Sequence, residues 1–172
     1  MPAPQDEVDR IVDAWLRERP DLDFSPLQVL SRVDRLSRHL ETARKQAFSR
    51  SSLQSWEFDV LAALRRAGAP YQLSPKALLQ QTLVSSGTMT NRIDRLVERG
   101  FVQRSSDPAD GRGVLVRMTR SGLTHVDAAI TRLVDAEASI LTNLGVADRT
   151  RLAALLRKLT IDFDEPKEPA GE

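Results

Sequence analysis

Thr88, Asn91 and Arg95 are the side chains in this 172-residue chain whose spacing most clearly suggests chemistry. They lie in the run SSGTMTNRIDRLVERG, from Ser85 to Gly100, where Met89, Ile93, Leu96 and Val97 recur at helical spacing. With about 100° of rotation per residue, those four form a core stripe around Ile93, and Thr88, Asn91 and Arg95 fall on the opposite side. A short hydroxyl, an amide and a guanidinium facing outward suit base edges: Asn pairs well with adenine and Arg with guanine. Ser85, Ser86 and Thr90, at the start or flank of the helix, can donate to phosphates, and the helix N-terminus favours an anion. Any one of these residues alone reads equally well as solvated surface. The set argues for nucleic acid.

A second cluster follows at once. Asp107, Pro108, Asp110, Gly111, Arg112 and Gly113 form a tight, charged tip between two apolar-polar alternations at 101–105 and 114–118. Arg112 projects from such a hairpin and is placed to enter a minor groove, where narrowing attracts arginine. Asp110 is placed to orient it. Upstream, Ser74 and Pro75 begin a short helix through Gln81. Helix, turn, helix and hairpin together make a winged helix-turn-helix, which lays its second helix in a DNA groove.

The elements that must position this unit are helical. Val8, Ile11, Val12, Trp15 and Leu16 predict an amphipathic helix from Gln5 to Arg19, ended by Pro20. Ser25 is expected as N-cap, with Pro26 at the first position, of a helix to Phe48 carrying Leu30, Val33, Leu36 and Leu40 on one face. Ser55 is expected to cap a helix from Trp56 to Ala67, stopped by Gly68. Ser121 begins a long helix to Leu144, and Asp148 caps a last one to Phe163. The expected fold is mainly α. It comprises an additional N-terminal helix (1–24), a helical dimerisation region (25–50 and 121–164), the winged helix-turn-helix (51–120) and a disordered tail (165–172). The flanking stripes (Leu123, Val126, Ile130, Leu133, Val134, then Leu152, Leu155, Leu156, Leu159) exceed what the small central module can bury, so a second copy of the chain is expected to cover them.

Composition narrows the function classes. The chain has no cysteine, which excludes disulfides, thiolate metal sites and cysteine nucleophiles. His39 and His125 fall in long helical patterns and read as surface residues, so no metal, cofactor or catalytic residue is expected. No phosphate-cradling glycine loop is present, and the protein is expected not to be an enzyme. Net charge is only +1, but its distribution is uneven. Asp6 to Asp23 sums to −4, Ser85 to Arg120 to +3, and Asp162 to the end to −4. The basic centre coincides with the reading unit, as DNA binding requires. No apolar run nears the length of a membrane span and no secretory signal pattern opens the chain, so a cytoplasmic site is expected.

The block SSGTMTNRIDRLVERGFVQRSSDPADGRGVLVRMTRSG resembles the recognition helix and wing of the MarR family of bacterial transcription regulators, DPADGR matching that family's D-P-x-D-x-R wing element. The likeness runs from about Ser25 to Phe163. It implies a homodimeric repressor that binds a pseudo-palindrome in double-stranded DNA and releases it on binding a small effector. A narrower likeness is to the urate-responsive, PecS-like branch, which carries an additional N-terminal helix. That likeness implies a ligand site of Trp15, Asp59, Arg92 and Arg104, with Trp56 as the competing aromatic for Trp15. A planar anionic heterocycle wants a π surface for stacking and cations for its oxygens. Urate or a related purine is the expected effector; an organic acid such as a tricarboxylate satisfies the same arginines. The alternative function is a winged helix used as a protein-interaction module without sequence-specific DNA binding.

Overall fold

The computed structural model describes residues 5–82, 84–107 and 110–164, apart from the side chains at 110–112, 162 and 164. The described elements follow in the order α1 (Glu7–Glu18), α2 (Ser25–Ser49), α3 (Ser55–Arg66), β1 (Gln72–Leu73), α4 (Pro75–Thr82), α5 (Ser86–Glu98), β2 (Val102–Asp107), β3 (Asp110–Met118), α6 (Arg120–Ile140) and α7 (Val146–Asp164). The fold is thus mainly α with a small antiparallel sheet, as expected. The expected tail at 165–172 lies outside the described residues, as do Pro108 at the wing tip and the Asp110 and Arg112 side chains.

Helix starts differ from the sequence reading where an acid or amide outcompetes a serine. Ser25 is the first residue of α2, not its cap. Asp23 accepts from the Ser25 backbone N–H and hydroxyl, both at 2.9 Å, and Phe24 takes the cap position. Ser55 likewise opens α3, while Gln54 caps it in a reciprocal box with Glu57, whose Oε2 accepts from the Gln54 N–H at 2.8 Å. α7 begins at Val146, so Asp148 sits in its first turn and favours the helix dipole there. α1 follows expectation more closely, capped by Asp6 in a box with Asp9.

β3 is the middle strand of the sheet, between β1 and β2. The two-residue β1 was not legible as a strand; it pairs Gln72 with Arg117 and Leu73 with Val116. β2 and β3 pair from Val102 opposite Met118 to Asp107 opposite Asp110, so both strands run nearer the tip than the alternation alone suggests.

The chain divides into two units, residues 1–133 and 134–172. In the first, α3 supplies Val60, Leu61 and Leu64 to a core completed by Leu78, Met89, Ile93, Leu96, Val102, Val116 and Val126, all of them buried. Each such side chain contributes about 1.5–3 kcal/mol by leaving water. Val97, expected in the core stripe of α5, is instead 38% exposed, because the stripe is narrower than four residues. α5 ends at Gly100 (φ +69°) in a Schellman turn: Phe101 N–H donates to Leu96 O and Gly100 N–H to Val97 O. Gly122 sits where a Cβ would lie 2.3 Å from Phe101 O, so the start of α6 packs directly on the chain entering β2. α1 lies on α2 through Val8 and Val12, and Arg32 grips both Asp6 and Asp9. Leu30, Val33 and Leu36 of α2 remain exposed within the chain.

In the second unit, Arg149 donates to the Leu144 and Leu141 carbonyls, each at 2.9 Å, and so fixes the turn before α7. Leu155, Leu159 and Ile161 are about half exposed along α7. Among the described residues no helix is long and apolar enough to cross a membrane.

Candidate nucleic-acid interface and the groove behind it

The start of α5 is organised by hydroxyls. Ser85 caps the helix, accepting from the Thr88 N–H, and its hydroxyl lies 2.9 Å from that of Thr88. Thr90 donates to the Ser86 carbonyl at 3.1 Å. These bonds hold Ser85, Thr88 and Thr90 in fixed rotamers at a helix N-terminus, where the dipole and free N–H groups favour an anion. Ser86, Thr88, Asn91 and Arg95 are exposed, while Met89, Ile93 and Leu96 anchor the opposite face. The outward set anticipated from helical spacing therefore shares one surface. Arg112 belongs to β3 by its backbone, and its side chain lies outside the described residues.

Arg92 faces both that surface and a second space. It is partly buried on the flank of α5 and lines a groove of about 670 Å³ with Lys45 and Ser49 of α2 and Gln54, Trp56 and Asp59 of α3 and its cap. The groove offers an indole face, two cations and one carboxylate. Burial raises the Asp59 pKa above the ordinary carboxylate value, against the opposing pull of Arg92, Arg66 and Arg44. Asp59 and Arg92 thus line one space, of a volume within the usual range of small-molecule sites.

Of the four residues assigned to a ligand by family likeness, the structure brings Asp59 and Arg92 together and leaves the other two outside this groove. Trp15 stacks on Phe24, ring centroids 6.1 Å apart, where α1 meets the start of α2. Arg104 of β2 forms an ion pair with Asp94 of α5 at 2.6 Å. Trp56 provides the aromatic wall. Its ring centroid lies 5.7 Å from the Arg92 guanidinium carbon and 5.6 Å from that of Arg95. Its indole N–H donates to Gln54 Oε1 at 2.6 Å, which fixes the ring plane.

Sequence reasoning missed Glu57 and Arg99. Glu57 is 1% exposed, and both its carboxylate oxygens lie within 2.6 Å of Arg99 Nη1. Arg99 Nη2 also donates to the Ser52 carbonyl at 2.8 Å, and the guanidinium covers the Phe101 ring. This pair ties the end of α5 to the turn between α2 and α3. An acid at core spacing with Val60, Leu61 and Leu64 was the available signal. Among the described residues, no group of His, Cys, Asp and Glu could hold a metal ion.

A model of the MarR family matches residues 51–113, the segment from the turn before α3 to the start of β3. The chain is 36% identical over 153 residues to the HTH-type transcriptional regulator PecS of Dickeya dadantii, covering 89% of this chain and 92% of that protein. Among solved structures, Bordetella bronchiseptica BpsR, described with regulation of its DNA binding by 6-hydroxynicotinic acid, superposes with a TM-score of 0.64 at 31% identity, over 84% of this chain and 99% of that one. A mutant MarR from E. coli in complex with operator DNA gives a TM-score of 0.65 at 27% identity, over 79% and 96% of the two chains.

Proposed function

Since this chain belongs to the MarR family of transcription regulators, we propose that two copies of it bind a pseudo-palindromic duplex, repress the adjoining gene, and let go when a small planar anion enters the groove behind α5. The observation that carries this reading is the double use of one helix. Thr88, Asn91 and Arg95 look outward from α5, while Arg92, on its flank, lines the groove with Asp59. An anion that pairs with Arg92 acts directly on the element that meets the bases. A ligand shifts an equilibrium only by binding one state better than the other, and such contact supplies that difference.

Urate or a related purine suits the groove: one flat face for Trp56, and oxygens for Arg92 and Lys45. BpsR, the relative whose DNA binding is regulated by 6-hydroxynicotinic acid, also responds to a planar heterocyclic anion. Dimerisation is supported separately in each unit by apolar surface that one chain leaves open: Leu30 and Val33 of α2, and Leu155 and Leu159 of α7. A dimer sets two reading helices about one DNA turn, roughly 34 Å, apart.

The test is a mobility shift on the intergenic duplex upstream of the gene, at fixed salt, with and without urate, then with citrate and aconitate. Expected is a complex of two chains per site that urate dissolves. Release by the tricarboxylates instead would reassign the effector to an organic acid. No complex with the upstream or any scanned duplex would refute the DNA reading and leave a protein-interaction module. Affinity for DNA should also fall steeply with salt as phosphates are neutralised.

A further inference from the structure

Trp56 lines two recesses at once. On one side is the groove with Lys45, Asp59 and Arg92. On the other is a smaller recess of about 200 Å³ formed with Thr88, Asn91, Arg92 and Arg95, the outward face of α5. Both arginines rest near one ring, each guanidinium within 6 Å of its centroid. The ring cannot turn freely to follow either, because Gln54 holds its N–H at 2.6 Å and Gln54 is itself fixed as the cap of α3.

We infer that Trp56 is a positioning residue through which the groove controls Arg95: in the free protein it seats Arg95 on its ring, off the DNA, in competition with Arg92. The inference rests on the DNA and effector reading above and gives it a mechanism. A cation over an aromatic face is held by the ring quadrupole. Two cations sharing one ring repel each other, so each weakens the other's seat. An anion that enters the groove neutralises Arg92 or draws it away. Arg95 then sits on Trp56 without a competitor and is harder to extend to a base edge. Operator binding runs the same cycle backwards. Arg95 leaves the ring, Arg92 keeps it, and the groove loses affinity for the anion, as reciprocity of coupling demands.

The experiment uses Trp56→Leu, which keeps an apolar side chain but no π face, with Trp56→Phe as the conservative rescue. Thermal melting of each variant reports whether the fold is retained. Without any effector, Trp56→Leu should bind operator about five- to thirtyfold more tightly than the wild type, the size of two exposed cation–π seats, one in each of the two chains on the duplex, and Trp56→Phe should fall between. The gain should vanish in an Arg95→Ala background, because it acts through that guanidinium. The loss of operator affinity caused by saturating urate should be smaller in Trp56→Leu than in wild type. A Trp56→Leu variant that melts normally but gains nothing, or whose gain survives in Arg95→Ala, overturns the seat. An unchanged urate effect overturns the competition between the arginines. Wild-type protein that binds operator but ignores urate overturns the competition and the effector reading while leaving the seat to be judged by the first measurement. Wild-type protein that binds no duplex overturns both.

Discussion

Replacing Arg99 with methionine should unfold this protein far more readily than an ordinary change at a half-exposed arginine. Arg99 Nη1 lies 2.6 and 2.5 Å from the two oxygens of Glu57, a carboxylate only 1% exposed. That carboxylate also accepts from the Gln54 N–H at 2.8 Å, within the capping box of α3. Methionine fills similar volume and can still cover Phe101, so the change removes charge more than packing. Stripping the partner from a buried ion pair costs about 3–5 kcal/mol. The Arg99 side chain is 39% exposed, so water reaches part of the site, and about 2–3 kcal/mol is expected after that discount. Against a total near 5–15 kcal/mol, that moves the urea midpoint by on the order of 1 M. The assay is urea unfolding followed by circular dichroism at one fixed protein concentration, since the stability of the proposed dimer would depend on concentration. Combining Arg99→Met with Glu57→Gln should recover part of the loss, because neither end is then a stranded charge. An Arg99→Met loss under about 1 kcal/mol would place the pair among inert surface bridges, and a double variant no better than the sum of the singles would show that the two do not act as a unit.

Other outcomes follow from single residues. Asn91→Ala should cost about 1–3 kcal/mol at one base pair of the operator, read by mobility shifts on a set of single-pair substitutions; equal loss on every duplex would make Asn91 a backbone contact. Arg92→Ala should lower urate affinity by calorimetry more than it lowers operator affinity, and unchanged urate binding would place the effector outside this groove. Hydrogen bonds from Arg32, with the Asp9 N–H, hold the Asp6 carboxyl below its ordinary value of 3.8. A depressed acid stabilises the folded state above its unfolded pKa and stops doing so as pH falls through the folded one. The docking of α1 on α2 should therefore persist to about pH 4 and loosen only below it, seen as a change in Trp15 emission in a Trp56→Phe background. Loosening already near pH 6 would refute the latch.

The reading unit was legible because its signals are local. Helical spacing alone separates Met89, Ile93 and Leu96 from Thr88, Asn91 and Arg95, and a Ser-Ser start with a Gly stop brackets the helix. Val97 broke the pattern because a helix wedged against α3 and the sheet buries a narrower stripe than periodicity suggests. The helix caps were less legible. A serine before an apolar run is a good cap by itself, but Asp23 takes the N–H and hydroxyl of Ser25, and Gln54 and Glu57 form their reciprocal box one residue before Ser55. β1 was invisible because two residues carry no period; Gln72 and Leu73 are a strand only because β3 offers them partners.

The groove shows where local reading stops. Family likeness named an Asp and an Arg, and Asp59 and Arg92 do line one space. It could not decide which tryptophan stands beside them, because that depends on how α1, α2 and α3 cross rather than on spacing within any one of them. Trp15 goes to Phe24 because α1 turns Val8 and Val12 onto α2, leaving its last turn beside the chain that enters α2. Trp56 goes to the arginines because its neighbours Glu57 and Phe58 are buried, which forces position 56 to the edge of α3 that α5 approaches. Arg104 is claimed by Asp94 because β2 returns along α5 and places the opposite charge within 2.6 Å. Each outcome is a contest between tertiary partners. The same contest explains why one indole serves two guanidiniums: Arg92 and Arg95 are three residues apart on α5, hence neighbours on its surface, and a single ring at the edge of α3 meets both.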